Sequence, residues 1–285
     1  MTLRRFWQGR GGTVLATLGI TGLAAALGIL ATIYSGAYNV SATEQHTAPV
    51  YWALETGMLR AVQRRARGIE TPPLSDPALI RRGFLLHRDA CVQCHGAPGV
   101  APHAAGQGLL PVPNNLVQTA REWKAAELYW VTRNGLKMTG MPAWGMRFSD
   151  EDLWAIVAFL KTLPRLTAAD YQTLLRNAAG APVARSVSRP ARSGDPDRGV
   201  SAMQQYACTT CHLIPGMVGS RAYVGPPLTG IAGRKYLAGT LPNSPENMLR
   251  WIRDPKGISP ATLMPDLSVS EDHARDIVAY LFTLK

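Results

Sequence analysis

The sequence predicts an all-α protein with one N-terminal transmembrane helix followed by two helical domains in tandem. Three observations lead to this prediction: an uncharged apolar run near the N-terminus, two copies of one order of elements, and a scarcity of strand-like runs. At 285 residues, of which 46% are hydrophobic, the chain is long enough for about two domains with packed cores. This composition argues against wholesale disorder.

The apolar run TVLATLGITGLAAALGILATIY at residues 13–34 contains no charged residue. As a helix it would be about 33 Å long, enough to cross a hydrocarbon core of about 30 Å. Arg4, Arg5 and Arg10 precede the run and no arginine follows it closely, which predicts a cytoplasmic N-terminus at residues 1–12. We expect an uncleaved anchor in the cytoplasmic (inner) membrane, with the rest of the chain on the periplasmic side. A signal peptide cleaved near residues 35–37 is the alternative.

Residues 35–74 are a juxtamembrane segment with a predicted amphipathic helix. Its apolar residues recur at a spacing of four and its charge comes from arginines: Val50, Leu54, Met58, Val62, and Arg60, Arg64, Arg65, Arg67. The segment is either a solvated connector or a helix that lies on the membrane surface or against a partner subunit.

Two units, residues 75–166 and 194–285, repeat one order of elements. Each opens with a helix that has an N-cap followed by proline, at Ser75 or Asp76 and at Asp195. Each carries a glycine before its first cysteine, a proline-rich loop, a tryptophan-bearing helix, a Met-Pro pair and a serine-capped closing helix. Residues 167–193 are predicted to be a linker, because the run RNAAGAPVARSVSRPARSG is rich in Ala, Pro, Ser and Arg.

All four cysteines lie in two C-x-x-C-H pentapeptides, CVQCH at 91–95 and CTTCH at 208–212. A redox dithiol needs a βαβ context that the sequence does not show, and a four-cysteine zinc site would draw ligands from two domains. C-x-x-C-H is the attachment pattern of c-type haem, in which two thiols bond to the vinyl groups and the imidazole ligates the iron. The sequence therefore predicts two covalently bound haem c groups, held by Cys91, Cys94 and His95 and by Cys208, Cys211 and His212. Haem attachment would also consume thiols that an oxidising compartment would convert to disulfides.

With these motifs, residues 75–285 apart from the linker resemble two tandem class I cytochrome c domains. The resemblance implies that a methionine followed by proline supplies the sixth iron ligand, which points to Met141 and Met264. Met138 is the alternative in the first domain. The resemblance also implies that a loop proline carbonyl accepts a hydrogen bond from the proximal histidine. The run GPPL points to Pro226, whereas LPVPNNL leaves both Pro111 and Pro113 open.

In domains of this kind the first and last helices cross closely, with a small residue against an aromatic one. Gly83 and Gly199 are therefore expected to meet aromatics among Trp154, Phe159 and Tyr280. The remaining histidines are alternative iron ligands: His46, His87, His103 and His273. Of these, His87 and His273 are expected on the surface, and His103 is the best placed to replace a methionine.

Histidine–methionine ligation fills every coordination position of the iron and raises its reduction potential. The resemblance thus implies an electron-transfer protein rather than an enzyme. We expect a membrane-anchored di-haem cytochrome c of the respiratory chain that relays electrons from a quinol-oxidising complex or periplasmic dehydrogenase to a terminal oxidase, as a subunit of a respiratory complex.

The alternatives are a di-haem peroxidase or thiosulfate-oxidising cytochrome, which needs one open or differently ligated iron, and a gas sensor. The net charge of +11 favours acidic redox protein partners or anionic lipid, and no nucleic-acid motif is present.

Overall fold

The computed structural model describes residues 3–181, 193–219 and 224–285, which are mostly helical. Helix α1, Leu3–Ser35, includes the predicted apolar run. Within the described residues, Gly11–Ser35 is the stretch long and apolar enough to cross a membrane, with a mean hydropathy of 2.1. Because none of that stretch is buried against the rest of the chain, Gly11–Ser35 presents apolar side chains on all sides, as a membrane anchor or a signal sequence does.

Helix α2, Ala48–Arg65, covers the predicted amphipathic segment, and its two halves differ in burial. Val62 and the following Ala66 are buried where α2 packs against α7, Ala125–Asn134. Tyr51 and Trp52 in the first half are exposed. The end of α2 therefore packs on the helical unit that follows it and is not a solvated connector.

The first unit, residues 69–181, has two apolar clusters in contact through Phe148. Besides α7, its elements are α3 Pro77–Ala90, α4 Val92–His95, α5 Ala104–Gln107, α6 Leu116–Glu122, α8 Asp150–Leu160, α9 Ala168–Asn177, and the 3-10 turns Trp144–Met146 and Leu163–Arg165.

The second unit, residues 193–285 without the undescribed stretch 220–223, has one core centred on Met203, Met248 and Ile277. Its two-residue strands β1 and β2 pair antiparallel, with Leu237 opposite Leu241. Its elements are α10 Pro196–Gln205, β1 Tyr236–Leu237, β2 Leu241–Pro242, α11 Pro245–Arg253, α12 Pro255–Ile258, α13 Glu271–Leu281, and the 3-10 turns Cys208–Thr210 and Ile231–Gly233.

The opening and closing helices of both units begin at the predicted N-caps. Asp76 and Asp195 accept hydrogen bonds from backbone N–H groups of the first turn, and prolines follow them at the first helical position. Ser149 and Ser270 accept from the backbone N–H three residues further on. These caps set the start of each helix and hence the face that it turns to the core.

The opening and closing helices of each unit cross at a glycine, as the sequence predicts. A β-carbon at Gly83 would lie 1.8 Å from the carbonyl oxygen of Ala155 and 2.9 Å from Cβ of Phe159. A β-carbon at Gly199 would lie 2.2 Å from the carbonyl oxygen of Asp276 and 2.9 Å from Cβ of Tyr280. Only a residue without a side chain allows these two backbones to approach so closely.

An ion pair stands beside each crossing. Arg82 donates from Nε to Asp152 Oδ1 over 2.6 Å, and Arg198 Nε lies 3.5 Å from Asp276 Oδ2. Both carboxylates are buried, at 1% and 0% exposure. Each arginine helps to offset the lost hydration of the buried carboxylate beside it, and Asp276 also accepts a hydrogen bond from the Asp195 backbone N–H at 2.9 Å.

The linker predicted over 167–193 begins later than expected, because α9 belongs to the first unit. Thr167 caps this helix, and Tyr171 is fully buried against Phe84 and His87. The signal was present in the sequence: Tyr171, Leu174 and Leu175 have the i, i+3, i+4 spacing of a helix face. The prediction gave more weight to residues 176–194, whose Ala, Pro, Ser and Arg are typical of a linker. Residues 182–192 of the predicted linker lie outside the described residues.

Candidate functional site

The first C-x-x-C-H motif turns directly off the end of α3. Cys91 ends α3, and the single turn α4 brings Cys94 and His95 back over it, with both backbone N–H groups donating to the Cys91 carbonyl at 3.1 and 3.0 Å. Burial raises the pKa of the Cys91 thiol to about 12, so it stays protonated. Both thiols are free, and they lie on one turn as covalent attachment to one porphyrin requires.

The second motif has the same backbone arrangement at the end of α10. Cys211 and His212 donate from their backbone N–H groups to the Cys208 carbonyl at 3.3 and 3.0 Å. Ala207 enters the turn in the left-handed conformation at φ 56, which supplies the one extra residue between crossing glycine and cysteine in this unit. Burial raises the pKa of the Cys208 thiol to about 11, and both thiols are again free.

The two motif histidines make equivalent hydrogen bonds. Nδ1 of His95 lies 2.8 Å from the carbonyl oxygen of Asn114, and Nδ1 of His212 lies 2.8 Å from that of Pro226. A carbonyl only accepts, so each Nδ1 carries the proton and each Nε2 keeps its lone pair for a metal ion. Burial lowers the pKa of His95, which favours the neutral imidazole that ligates iron.

Asn114, rather than Pro111 or Pro113, provides the acceptor in the first unit. The register is set by the leucine two residues beyond the acceptor, because Leu116 and Leu228 each pack on the core of their unit. Since the acceptor is a backbone carbonyl, its side chain need not be proline. Matching PNNL to GPPL on the leucine would have identified Asn114.

Met141 and Met264 are half buried and held by the same contact. Each backbone N–H donates to the hydroxyl of the threonine two residues earlier, Thr139 at 3.0 Å and Thr262 at 3.2 Å. The shared Thr-x-Met-Pro sequence is a signal that our sequence analysis missed. Met138 has a left-handed backbone at φ 60 and a side chain that is 97% exposed, so it points to solvent.

Two glycines allow the ligand-bearing loops to pack closely. A β-carbon at Gly225 would lie 2.4 Å from Cε1 of His212, so the loop that carries Pro226 presses directly on the imidazole. Gly135, at φ +66, would place a β-carbon 2.7 Å from the Met141 carbonyl oxygen. The loop backbone therefore restricts the orientation of both the histidine and the methionine.

Two of the four other histidines are not where the sequence predicted them. His87, expected on the surface, is fully buried, and His273, also expected there, is partly buried and bonded to Tyr206 and Met146. His103 is exposed in the loop after the first motif, and Nδ1 of His46 lies 2.6 Å from the Tyr38 hydroxyl.

His87 packs in the first core with neither ring nitrogen hydrogen-bonded to any described residue. Its ring centroid lies 5.1 Å from that of Phe159 and 6.3 Å from that of Tyr171. Burial, with a smaller contribution from His95, lowers its pKa to about 3. Its burial follows from helix geometry, since a residue four positions after Gly83 lies on the same face of α3.

The donor set at both motifs fits haem c. Each motif offers two free thiols on one turn, an imidazole with Nε2 uncommitted and Nδ1 fixed by a carbonyl, and a methionine on a loop held by threonine. Thiols, imidazole and thioether are the groups that attach haem c and ligate its iron.

Comparison with known proteins agrees with this chemistry. The family described as cytochrome c oxidase, cbb3-type, subunit III matches residues 78–160. Over 90 residues the chain is 34% identical to "Cytochrome c oxidase subunit 2" of Alkalihalophilus pseudofirmus, an alignment that spans 31% of this chain and 25% of that relative. The matched domain is a cytochrome c domain, which implies that the chain binds haem c.

Proposed function

We propose that the chain is a membrane-anchored di-haem cytochrome c built from two tandem class I domains, and that it transfers electrons without itself catalysing a reaction. Cys91 and Cys94 would attach one haem, with His95 and Met141 as iron ligands. The second site would use the equivalent residues: Cys208, Cys211, His212 and Met264. The haem supplies a one-electron redox centre, and histidine with methionine fills its axial positions.

The observation that carries this proposal is the repetition of four independent contacts at both motifs. Both have the same pair of hydrogen bonds to the first cysteine carbonyl, and both have 2.8 Å between Nδ1 and a loop carbonyl oxygen. Both also have the threonine contact to the methionine and a crossing glycine in the opening helix. The second unit, which lies outside the matched residues 78–160, thus holds the same groups in the same way.

The surrounding residues have positioning roles that follow from their contacts. Asn114 and Pro226 fix the tautomer and ring orientation of the histidines, which raises the basicity of Nε2. Thr139 and Thr262 fix the backbone of the methionine loops. Because Met138 is 97% exposed while Met141 is half buried, we assign Met141 as the ligand.

The location and partners we propose follow from α1 and from charge. As an uncleaved anchor, Gly11–Ser35 would place both units on the periplasmic face of the cytoplasmic membrane. The net charge of +11 favours acidic redox proteins. The names of the matching family and of the similar protein both refer to cytochrome c oxidase, which supports a terminal oxidase as acceptor. The donor would be a quinol-oxidising complex or a periplasmic dehydrogenase, and the chain would act as a respiratory-complex subunit.

An optical redox titration of the detergent-purified full chain, with carbon monoxide added to the reduced form, tests the proposal. We expect two high-potential steps and no carbon monoxide binding. Met141→Ala and Met264→Ala should each open one iron to carbon monoxide and lower one potential, whereas the matched control Met138→Ala should change neither. A wild-type protein that binds carbon monoxide at one haem, and then reduces peroxide, would favour a di-haem enzyme and contradict the proposal.

A further inference from the structure

The two units meet through a small contact at the 3-10 turn Trp144–Met146. The Met146 side chain packs against the core of the second unit, and Arg147 donates from Nη1 to Gln205 Oε1 over 2.8 Å. In the part of the chain that the structure describes, no extensively packed helix pair joins the first unit to the second. A few polar groups therefore fix how the units sit relative to one another.

His273 is the centre of this contact. Its Nε2 lies 3.1 Å from the Met146 carbonyl oxygen in the first unit, and its Nδ1 lies 3.1 Å from the Tyr206 hydroxyl in the second. The Tyr206 oxygen also accepts from the Ser270 backbone N–H at 3.4 Å. A neutral imidazole with its proton on Nε2 satisfies all three bonds: Nε2–H donates to the carbonyl and the tyrosine hydroxyl donates to Nδ1.

The closing helices of the two units have different residues at their third position, Asp152 in the first unit and His273 in the second. Asp152, the third residue of α8, reaches back to the backbone N–H of its N-cap Ser149 at 3.3 Å and completes a capping box. His273 is the third residue of α13 after the N-cap Ser270, and it points across to Met146 instead. Tyr206 takes over the contact to the Ser270 N–H. The closing helix of the second unit thus keeps its N-cap Ser270 but lacks the reciprocal side-chain contact of a capping box, and it uses that position to contact the first unit.

The two groups that His273 contacts, Met146 and Tyr206, lie close in sequence to the two candidate haem sites. Met146 lies five residues beyond Met141, on the same loop, and Tyr206 lies two residues before Cys208. His273 therefore joins the ligand loop of the first site to the attachment segment of the second.

We propose that His273 is a positioning residue that holds the two units in the arrangement through which electrons pass between their haems. This inference rests on the proposed function, because it needs a redox centre in each unit. The rate of electron transfer falls steeply with the separation of two centres, so a contact that fixes the separation sets the rate. His273 touches neither candidate iron ligand pair in the described structure, so its removal should leave both reduction potentials unchanged.

The test uses the full chain with His273→Ala, His273→Gln and Tyr206→Phe. Gln can donate to the Met146 carbonyl and accept from the Tyr206 hydroxyl, whereas Tyr206→Phe removes only one hydroxyl group. His103→Ala, an exposed histidine of the first unit, is the matched control. We would measure both midpoint potentials, the rate of electron equilibration between the haems after flash photoreduction, and hydrogen exchange over residues 144–148.

Loss of two hydrogen bonds should shift the docking equilibrium about tenfold, so His273→Ala should speed exchange over 144–148 by about that factor and should slow electron equilibration by up to that factor. Tyr206→Phe should have a smaller effect, and His273→Gln should restore most of the wild-type values. Unchanged exchange and rate in His273→Ala would overturn the proposal, as would a slower rate explained by a shifted potential. A chain with only one haem would instead contradict the proposed function, while hydrogen exchange would still report whether His273 joins the units.

Discussion

In the first unit the residue four positions after the crossing glycine is His87, and in the second unit it is Met203. Both side chains are fully buried and face the closing helix of their unit. Met203 is the ordinary occupant of such a site, because its flexible apolar side chain fills gaps without polar atoms. His87 places two unbonded ring nitrogens in the core. Identical backbone positions therefore carry different chemistry in the two units.

The closing helices differ in the same way at their third residue, Asp152 in one unit and His273 in the other. By contrast, the contacts around the motifs repeat to within a few tenths of an ångström, although the histidine-to-acceptor loop is longer in the first unit. The comparison shows that the contacts of the candidate haem sites are the common part of the two units. Their cores and helix ends have diverged around that common part.

Substitution of the crossing glycines is expected to have the largest effect on the structure that the two units share. Gly83→Ala and Gly199→Ala would each drive a β-carbon into a backbone carbonyl, at 1.8 and 2.2 Å, so we expect each to lose about 3 kcal/mol of stability. Calorimetry of the haem-loaded chain should show the loss in the mutated unit. Gly57→Ala in α2, where a β-carbon would meet nothing within 4 Å, is the control and should stabilise by about 0.5–1 kcal/mol. Equal behaviour of all three variants would refute the shared crossing.

Exchanging the divergent core residues sharpens the comparison. Met203→His should destabilise the second unit by about 1–3 kcal/mol, since it buries polar atoms without partners. His87→Met should stabilise the first unit by about 1 kcal/mol for the opposite reason. Chemical denaturation followed in the Soret band would measure both. Destabilisation by His87→Met would show that His87 has a hydrogen-bond partner in the haem-loaded protein.

The pH dependence of stability should also reveal the buried His87. Its effect on the free energy of unfolding is expected to be smallest near neutral pH. The pKa of His87 is lowered from 6.5 to about 3 in the folded chain, so the unfolded chain binds the proton more tightly. Above pH 6.5 the ring is neutral in both the folded and the unfolded chain, so it does not make the free energy of unfolding depend on pH. As the pH falls from 6.5 towards about 3, only the unfolded chain takes up the proton, and the folded chain loses stability. The stability difference between His87→Met and wild type should therefore grow over that range. A difference that is constant with pH would contradict the burial of a neutral imidazole.

Much of the fold followed from local patterns. The helix caps Asp76, Asp195, Ser149 and Ser270 could be predicted because N-capping depends on a few neighbouring residues. The crossings at Gly83 and Gly199 were expected because the resemblance to class I cytochrome c domains implies that the first and last helices cross closely at a small residue. Helix α9 was missed, because residues 176–194 are rich in Ala, Pro, Ser and Arg and that composition outweighed a short periodic run.

The parts of the candidate sites that were missed depend mostly on three-dimensional placement. Asn114 acts through its backbone carbonyl, so its side chain gave no signal, and only its spacing to Leu116 indicates it in the sequence. His273 contacts Met146 in the other unit, far away in sequence, and only the folded arrangement brings the two together. His87 was predicted on the surface because its polarity was given more weight than its position on the helix face. Side-chain polarity is a weak guide where the backbone fixes the direction of a side chain.

The number of covalently bound haems per chain tests the central claim most directly. Intact mass and haem absorbance of the purified protein should give two haems, one per unit. Cys91→Ser with Cys94→Ser should leave one, and Cys208→Ser with Cys211→Ser should leave the other. A wild-type chain with a single haem that persists in the Cys208→Ser, Cys211→Ser variant would contradict the account, because the second unit would then hold no redox centre.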